Sequence, residues 1–449
     1  MSKAKPLPPP ENDFDFKNDI NLIIRHRTDL EVSQLVKEYN ERYLYWDEVQ
    51  RRKMPEGLDH ESFWKLMKYY RLSRANNIKI SDLPGFNFHY NMTDNIAKQL
   101  HRFDLNLGGV LESSANVPEG QSNKYMISSL MEEAIASSQL EGAATTRKVA
   151  KEMLRSERKP RNTSERMILN NYLTIQEVKK FSKSKLTPEL ICKFHKTITE
   201  GTLDHPTTEG SFRTNNEVQV VDNITGEVYY TPPNHEIIQK AILDICEFAN
   251  SQKGNDFIHP IIRAITLHFL IGYLHPFVDG NGRTARALFY WHLLSKGYWL
   301  AEYISISKVI IESPSQYSRA YICTEDDQND LTYFYHYNFK CLMKATKQFR
   351  NYTVMKVREK TKLYDLQRIK GLNERQIEVI QKVQKEKHKF FSIKEIQNTF
   401  DIVYQTARTD LLELEKIGYL IQKKSGRKIL FHRSHDFDNV LKKGLKEDL

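Results

Sequence analysis

The stretch His275-Pro-Phe-Val-Asp279-Gly-Asn-Gly282-Arg283-Thr-Ala-Arg286 decides how the chain is read, because it sets a polar hinge between two apolar runs. Upstream, His259-Pro260 opens a helix, with proline at the first helical position, where no N–H is needed. Ile261, Ile262, Ala264, Ile265, Leu267, Phe269, Leu270 and Ile271 make this run apolar almost all round, the pattern of a helix buried inside a domain. It is too short to cross a bilayer, and it contains Arg263 and His268. Downstream, Ala285, Ala287, Leu288, Phe289, Trp291, Leu293 and Leu294 predict a second helix that stops near Gly297.

Each hinge residue has a chemical reason to be there. Gly280 and Gly282 admit backbone conformations closed to other residues, so their N–H groups and that of Asn281 can converge in an anion-binding nest at a helix start. Arg283 and Arg286, three apart, can lean over one pocket and clamp phosphate oxygens. Asp279 offers a hard oxygen to Mg2+ bridging two phosphates. His275 is placed as a general base near neutral pH. Asp-Gly-Asn-Gly alone is a common turn, and His-Pro alone a common helix start. In this order, however, the parts describe phosphoryl or nucleotidyl transfer onto a hydroxyl.

The full string resembles, position for position, the His-Pro-Phe-x-Asp-Gly-Asn-Gly-Arg-x-x-Arg signature of the Fic family. Ala285 occupies an open position where many members carry glycine. The resemblance implies transfer of AMP from ATP to a Ser, Thr or Tyr hydroxyl of a protein target, or of the protein itself. His275 would be the base, Asp279 would hold Mg2+, and the Gly280–Gly282 nest with Arg283 and Arg286 would hold the triphosphate. Ser137-Ser-Gln-Leu-Glu141-Gly142 sits near the predicted end of a helix. Read blind, Ser137 and Glu141 share a helix face and can be a solvated surface or a capping device. Beside the hinge, the string resembles the family's inhibitory signature, which implies that Glu141 pairs with Arg286 and displaces the γ-phosphate. Its place ahead of the core matches the subclass whose inhibitory helix is N-terminal in the same chain.

Other elements follow in order. Thr187-Pro188 caps a helix ending at Gly201, on which His195 reads as structural. The β-prone runs Glu217–Val221 and Glu227–Thr231, joined by Asp222–Gly226, predict a β-hairpin. The resemblance makes it a flap, with Val218, Gln219, Val220 and Val221 docking an extended target strand. Tyr317 and Tyr321, one helical turn apart, are candidates to line an adenine pocket or to fill the core. Residues 18–78, with Trp46 and Trp64, read as a helical packing layer or a dimerisation element, so a homodimer is open.

From about Leu372 the pattern changes to three helices followed by two strands, Gly418–Gln422 and Lys428–His432, joined by a basic turn. That is a winged-helix pattern, in which Gln405, Thr406, Arg408 and Thr409 face DNA or another protein. The expected class is mostly α: a Fic-type helical core with a β-hairpin flap, plus a C-terminal winged-helix-like domain. Its expected parts are residues 1–85, 86–165 with the inhibitory helix, 166–365 as the core, and 372–449.

Composition adds bounds. Of 449 residues, 40% are hydrophobic, enough for a large core, and the net charge of +10 weakly favours anionic partners such as ATP or nucleic acid. Cys192, Cys246, Cys323 and Cys341 have no metal-ligand spacing and read as reduced packing residues. With neither a signal-peptide core nor an apolar run of spanning length, the expected location is cytoplasmic, away from membranes. Two further readings stay open: removal of AMP or transfer of another phosphate-bearing group, and a DNA-binding regulator switched by self-modification.

Overall fold

The structure, a computed structural model, describes residues 5–10, 16–26, 28–105, 122–221, 226–251, 257–367, 369, 371–400, 402–425 and 428–446. The chain is mostly helical and divides into two compact units, Met1–Phe349 and Arg350–Leu449.

At the centre of the first unit lie α10 (Pro260–Leu274) and α11 (Asn281–Ser295), which form its most extensive helix pair. His259 caps α10 through its ring, which accepts from Ile261 N at 3.2 Å. Ile261 to Ile271, Tyr273 and Leu274 are all buried, so a helix that is apolar all round is enclosed all round. Three helices surround α11: α5 (Ser122–Leu140), α7 (Thr163–Lys180) and α8 (Pro188–Thr199). Thr187 caps α8 by accepting from Leu190 N at 3.2 Å, and Pro188 starts it, as expected. Between α5 and α7 runs α6 (Arg147–Arg155), and α9 (Ile238–Asn250) leads toward α10. After α11 come α12 (Pro314–Asp326) and the long α13 (Thr332–Gln367).

The N-terminal residues form α1 (Phe16–His26), α2 (Leu30–Glu41) and α3 (His60–Leu72), a two-stranded sheet of β1 (Asn76–Lys79) and β2 (Asn87–Tyr90), then α4 (Asp94–Phe103). Trp46, Trp64, Phe63 and Tyr39 are buried together with Cys323 and Tyr333, so these aromatics serve as a packing layer. Buried polar contacts pin that layer: Lys68 donates to Asp327 at 2.7 Å, and Arg71 reaches Asn40 Oδ1 at 2.7 Å and Leu44 O at 2.8 Å. All four cysteines are unpaired. No helix among the described residues is long and apolar enough to cross a membrane.

The second unit packs α14 (Glu374–Lys385), β5 (Phe390–Ser392), α15 (Ile393–Phe400), α16 (Tyr404–Ile417), β6 (Leu420–Ser425), β7 (Lys428–Arg433) and α17 (Phe437–Lys446) around one apolar cluster. Its three-stranded antiparallel sheet has the order β5-β7-β6. The β6–β7 hairpin falls where the sequence pattern puts two strands, but that pattern holds no third strand. The structure makes Phe390–Ser392 a strand, because Phe391 pairs with Phe431 forty positions on, beyond the reach of local periodicity.

Candidate active site

Helix α10 ends at His275, whose backbone takes the left-handed conformation, φ 47° and ψ 57°. Such a conformation in a non-glycine residue costs on the order of 1–3 kcal/mol and is kept only where the surroundings dictate it. Here they do. His275 Nδ1 lies 2.9 Å from Gly272 O. A carbonyl only accepts, so Nδ1 carries the proton and Nε2 holds the lone pair. On the other side, Arg213 fixes the same turn: its Nε donates to His275 O at 2.9 Å and its backbone N to Pro276 O at 2.8 Å. The His275 pKa is lowered, first by burial, against the opposing pull of the Gly272 carbonyl and of Glu141.

The loop beyond is locked by two side chains. Asn281 closes it on itself, accepting from Phe277 N at 2.9 Å and donating to Phe277 O at 2.8 Å. His195, from α8, stacks on Phe277 with ring centroids 3.7 Å apart and planes 3° from parallel. Its Nε2–H donates to Asp279 O at 2.8 Å and its Nδ1 accepts from Gly210 N at 3.0 Å. Those two bonds need a neutral ring, and burial lowers its pKa to about 4. Gly280 has φ 78°, and a Cβ there would press on Thr199 and His195, so the position takes glycine on two counts.

Asp279 faces outward, with its side chain 53% exposed. Its Oδ1 accepts from Gly280 N at 2.6 Å, and its Oδ2 lies 3.4 Å from Arg283. The nest expected from sequence is therefore narrower than three N–H groups, since Gly280 N–H is already held by Asp279. Asn281 contributes backbone to the start of α11 while its side chain holds the loop. No side chain caps α11, so the N–H groups of its first turn have no side-chain acceptor at the cap position. Arg283 is buried, donates to Ile198 O at 3.2 Å, and keeps its Nε without a partner. Burial lowers its pKa, opposed by Asp279 and Glu141.

Arg286 is occupied from α5. Its Nε donates to Ser137 Oγ at 2.9 Å, and one terminal nitrogen donates to Ser137 O at 3.1 Å and to Glu141 Oε1 at 2.8 Å. Arg286 is 2% exposed and Glu141 25%. Burial pushes the Glu141 carboxyl up, but Arg286, then Arg283, outweigh it and hold it ionised, below the usual range. The Glu141 carboxylate also lies over the start of α11, where a Cβ on Gly282 would collide with it. Gly142, at φ 94°, ends the helical segment as expected.

Residues 185–293, spanning α8 through the loop to α11, match the profile of the Fic/DOC family. The chain carries a Fic domain. A protein adenylyltransferase Fic of Nematostella vectensis is 35% identical over 94 residues, 21% of this chain and 20% of that one. The protein adenylyltransferase fic-1 of Caenorhabditis elegans is 36% identical over 77 residues, 16% of this chain and 15% of its own. The aligned part is thus a fifth or less of these relatives' length. A solved Fic family protein from Desulfovibrio desulfuricans is 16% identical, with a TM-score of 0.48 over 77% of this chain and 98% of its own.

The Fic domain holds His275, Asp279, Arg283, Arg286 and the hairpin, whereas Ser137, Glu141, Tyr317 and Tyr321 lie outside the matched segment. The hairpin pairs β3 (Val220–Val221) with β4 (Val228–Tyr230), with a register shift between Val220 and Val221. Val218 and Gln219 precede the strand rather than belonging to it, and residues 222–225 of the expected turn lie outside the described residues. Tyr230 fastens the flap to α10, donating to Tyr273 O at 2.8 Å. Tyr317 and Tyr321 lie half-buried against α10: Tyr317 Oη meets His268 Nε2 at 2.8 Å, and Tyr321 Oη donates to His268 O at 3.3 Å. Tyr317 also lies beside Arg286.

Two positioning residues, Arg213 and Glu133, escape a reading of the sequence, and a third, His195, is read there as structural without its tie to the loop. Arg213 and His195 hold the loop from distant segments. Glu133, 3% exposed, accepts from Tyr290 Oη at 3.0 Å, Ser305 Oγ at 2.8 Å, Ser307 N at 3.0 Å and Ser307 Oγ. Glu133, Ser137 and Glu141 recur every four residues, so the spacing alone puts all three on one face.

Four buried histidines give the protein an acid limit. Burial, the largest cause for each, lowers His195 and His336 to about 4, and His268 and His292 to about 3. The unfolded chain takes up these protons below about pH 6.5, the folded protein only near the lowered values. Stability contributed by the neutral rings is full above that pH and declines as pH falls toward 4. Thermal melts should show a level midpoint above neutrality and a steady fall from about pH 6.5 downward. A flat midpoint across this range would count against the buried neutral rings.

Proposed function

We propose that the Fic domain transfers AMP from ATP to a Ser, Thr or Tyr hydroxyl of a protein target, and that Glu141 restrains it. The observation that carries this reading is the lone pair on His275 Nε2, fixed beside an outward-facing Asp279 and the Arg283–Arg286 pair. In the reaction, His275 Nε2 takes the proton of the target hydroxyl. The oxygen attacks the α-phosphorus of ATP as the bond to the β-phosphate oxygen breaks, and pyrophosphate leaves. Arg283 and the first turn of α11 face the charge that develops on the phosphates. Arg286 seats the γ-phosphate whenever Glu141 leaves it.

Asp279 fits a magnesium site of the kind that needs one protein carboxylate and completes its shell with phosphate oxygens and water. It is exposed, and its Oδ2 has only the long contact to Arg283. Mg2+ held there would neutralise charge on the α- and β-phosphates. In this reading the flap presents the target as an added strand, and Tyr317 and Tyr321 flank the adenine. The helix–strand–helix–helix–strand–strand order of the C-terminal unit supports a winged-helix-like reading.

The names of the relatives support AMP as the transferred group, and the mass added to a substrate tests it. The protein carrying Glu141→Gly is incubated with equal ATP, GTP, CTP and UTP, and its intact mass is measured for self-modification. An added AMP is the expected result. An added phosphate or a different nucleotide would overturn the proposed donor.

Arg213 supplies a separate test. One planar guanidinium spans His275 O, Asn215 O at 2.7 Å and Asn216 Oδ1 at 3.1 Å, and it also bonds Pro233 O. A lysine cannot bridge these directions. Arg213→Lys should lower kcat roughly a hundredfold through misplacement of the base, with ATP affinity little changed. An unaltered kcat would show that Arg213 does not position His275.

A further inference from the structure

The chain's positive charge is unevenly placed. Met1–Phe349 holds 44 Lys and Arg against 43 Asp and Glu, whereas Arg350–Leu449 holds 23 against 14. Nearly all of the net +10 therefore belongs to the C-terminal unit.

The charge is also sorted within that unit. Helix α16 buries Ala407, Asp410, Leu411 and Leu414 against the apolar cluster. Its acidic residues are engaged by neighbours. Asp410 accepts from Arg375 at 2.7 Å and from Asn373 at 2.8 Å, and Glu413 accepts from Gln376 at 2.6 Å. Glu415 is held by Gln422. The outward stripe of α16 is left with Gln405, Arg408, Thr409 and Lys416, all exposed. Lys423 and Lys424, also exposed, stand on β6 close to its hairpin with β7.

We propose that the C-terminal unit binds double-stranded DNA, with the outward stripe of α16 in the major groove and the β6 lysines on the phosphate backbone. The idea stands apart from the AMP-transfer reading and can fail without it. An α-helix fits the major groove, where a glutamine side chain matches adenine and an arginine matches guanine. Basic residues on a flanking hairpin are then well placed for the backbone, which supplies most of the non-specific affinity and all of its dependence on salt. Charge separates this partner from a protein one. A protein-docking helix needs an apolar centre, whereas the exposed positions of this stripe are polar or cationic and Leu412 between them packs partly against the apolar cluster.

The test uses the full chain and a fluorescein-labelled random duplex of thirty base pairs, read by anisotropy across a potassium chloride series. Binding should be visible at about 50 mM salt and weaken steeply toward about 200 mM. The triple variant Arg408→Ala, Lys423→Ala, Lys424→Ala should bind about tenfold more weakly or worse, with the salt slope reduced by roughly one for each cation withdrawn from a phosphate. These side chains are exposed, so an unchanged melting curve will show that the variant is folded. His275→Ala should bind as the wild type does. The charge reversal Arg408→Glu should weaken duplex binding further than Arg408→Ala. The proposal is overturned by absence of binding at low salt with protein near 100 µM, or by a triple variant whose affinity and slope equal those of the wild type. Either result would leave α16 to a protein partner.

Discussion

Replacing Glu141 by glycine should raise self-labelling by radioactive ATP by roughly ten- to a hundredfold. The estimate follows from what the carboxylate does at Arg286. A hydrogen bond to a charged group is worth about 1.5–3 kcal/mol, and a factor of ten corresponds to about 1.4 kcal/mol. With Glu141 in place, Arg286 is already bonded at 2.8 Å, and a γ-phosphate must displace that bond while meeting a like charge. Glycine removes both obstacles and leaves the Ser137 contacts to hold the guanidinium in place. Glu141→Gln separates the two: it removes the charge and keeps a hydrogen-bonding group, so its rate should lie between wild type and glycine. ATP affinity by calorimetry should rise in the same order. Equal affinity and labelling in all three proteins would mean that Glu141 does not restrain the site.

His275→Ala, made in the Glu141→Gly background, should remove the labelling. Loss of a positioned general base costs about 10²–10⁴ in rate, enough to take a single-turnover signal below background. The imidazole is predicted to meet the target hydroxyl rather than the phosphates, so ATP affinity should be retained. The pH profile carries a second mark of the same residue. The ring acts as a base only when neutral, and burial sets its pKa below the usual 6.5. Activity of Glu141→Gly should be level at neutrality and decline on the acid side of that value. Because Glu141 raises the His275 pKa, the glycine variant should hold its activity to lower pH than the wild type holds its residual activity. An acid limb centred above pH 7 would contradict a buried, neutral His275.

How much of this could be seen beforehand depended on distance along the chain. The loop from His275 to Arg286 and its two helices are encoded within thirty or so residues, and helix starts such as Thr187-Pro188 are local signals. The contact of Glu141 with Arg286 spans 145 positions and came only from family likeness, not from spacing. Arg213 and His195 carried no such signal: their bonds to the loop span 62 and 84 positions. The flap strands proved shorter than their β-prone runs. Asn216 Oδ1 accepts from Arg213 and from His235 N at 2.8 Å, which ties the approach to β3 into an irregular path. The bond from Gly280 N to Asp279 likewise cannot be read from residue types, since an aspartate beside a glycine can turn either way.

The four donors gathered on Glu133 bear on how the restraint can be lifted. They nail α5 to the body of the protein one turn before Ser137 and two before Glu141. The rod therefore has a fixed fulcrum, and Ser138 beyond it is held too, buried and donating to Met167 O at 3.1 Å, which leaves Glu141 and Gly142 as its more exposed end. On the proposal that Glu141 restrains the site, unlatching would need only a fraying of that helical end and no departure of the whole helix. A binding event that does no more than loosen that end would be enough to admit the nucleotide.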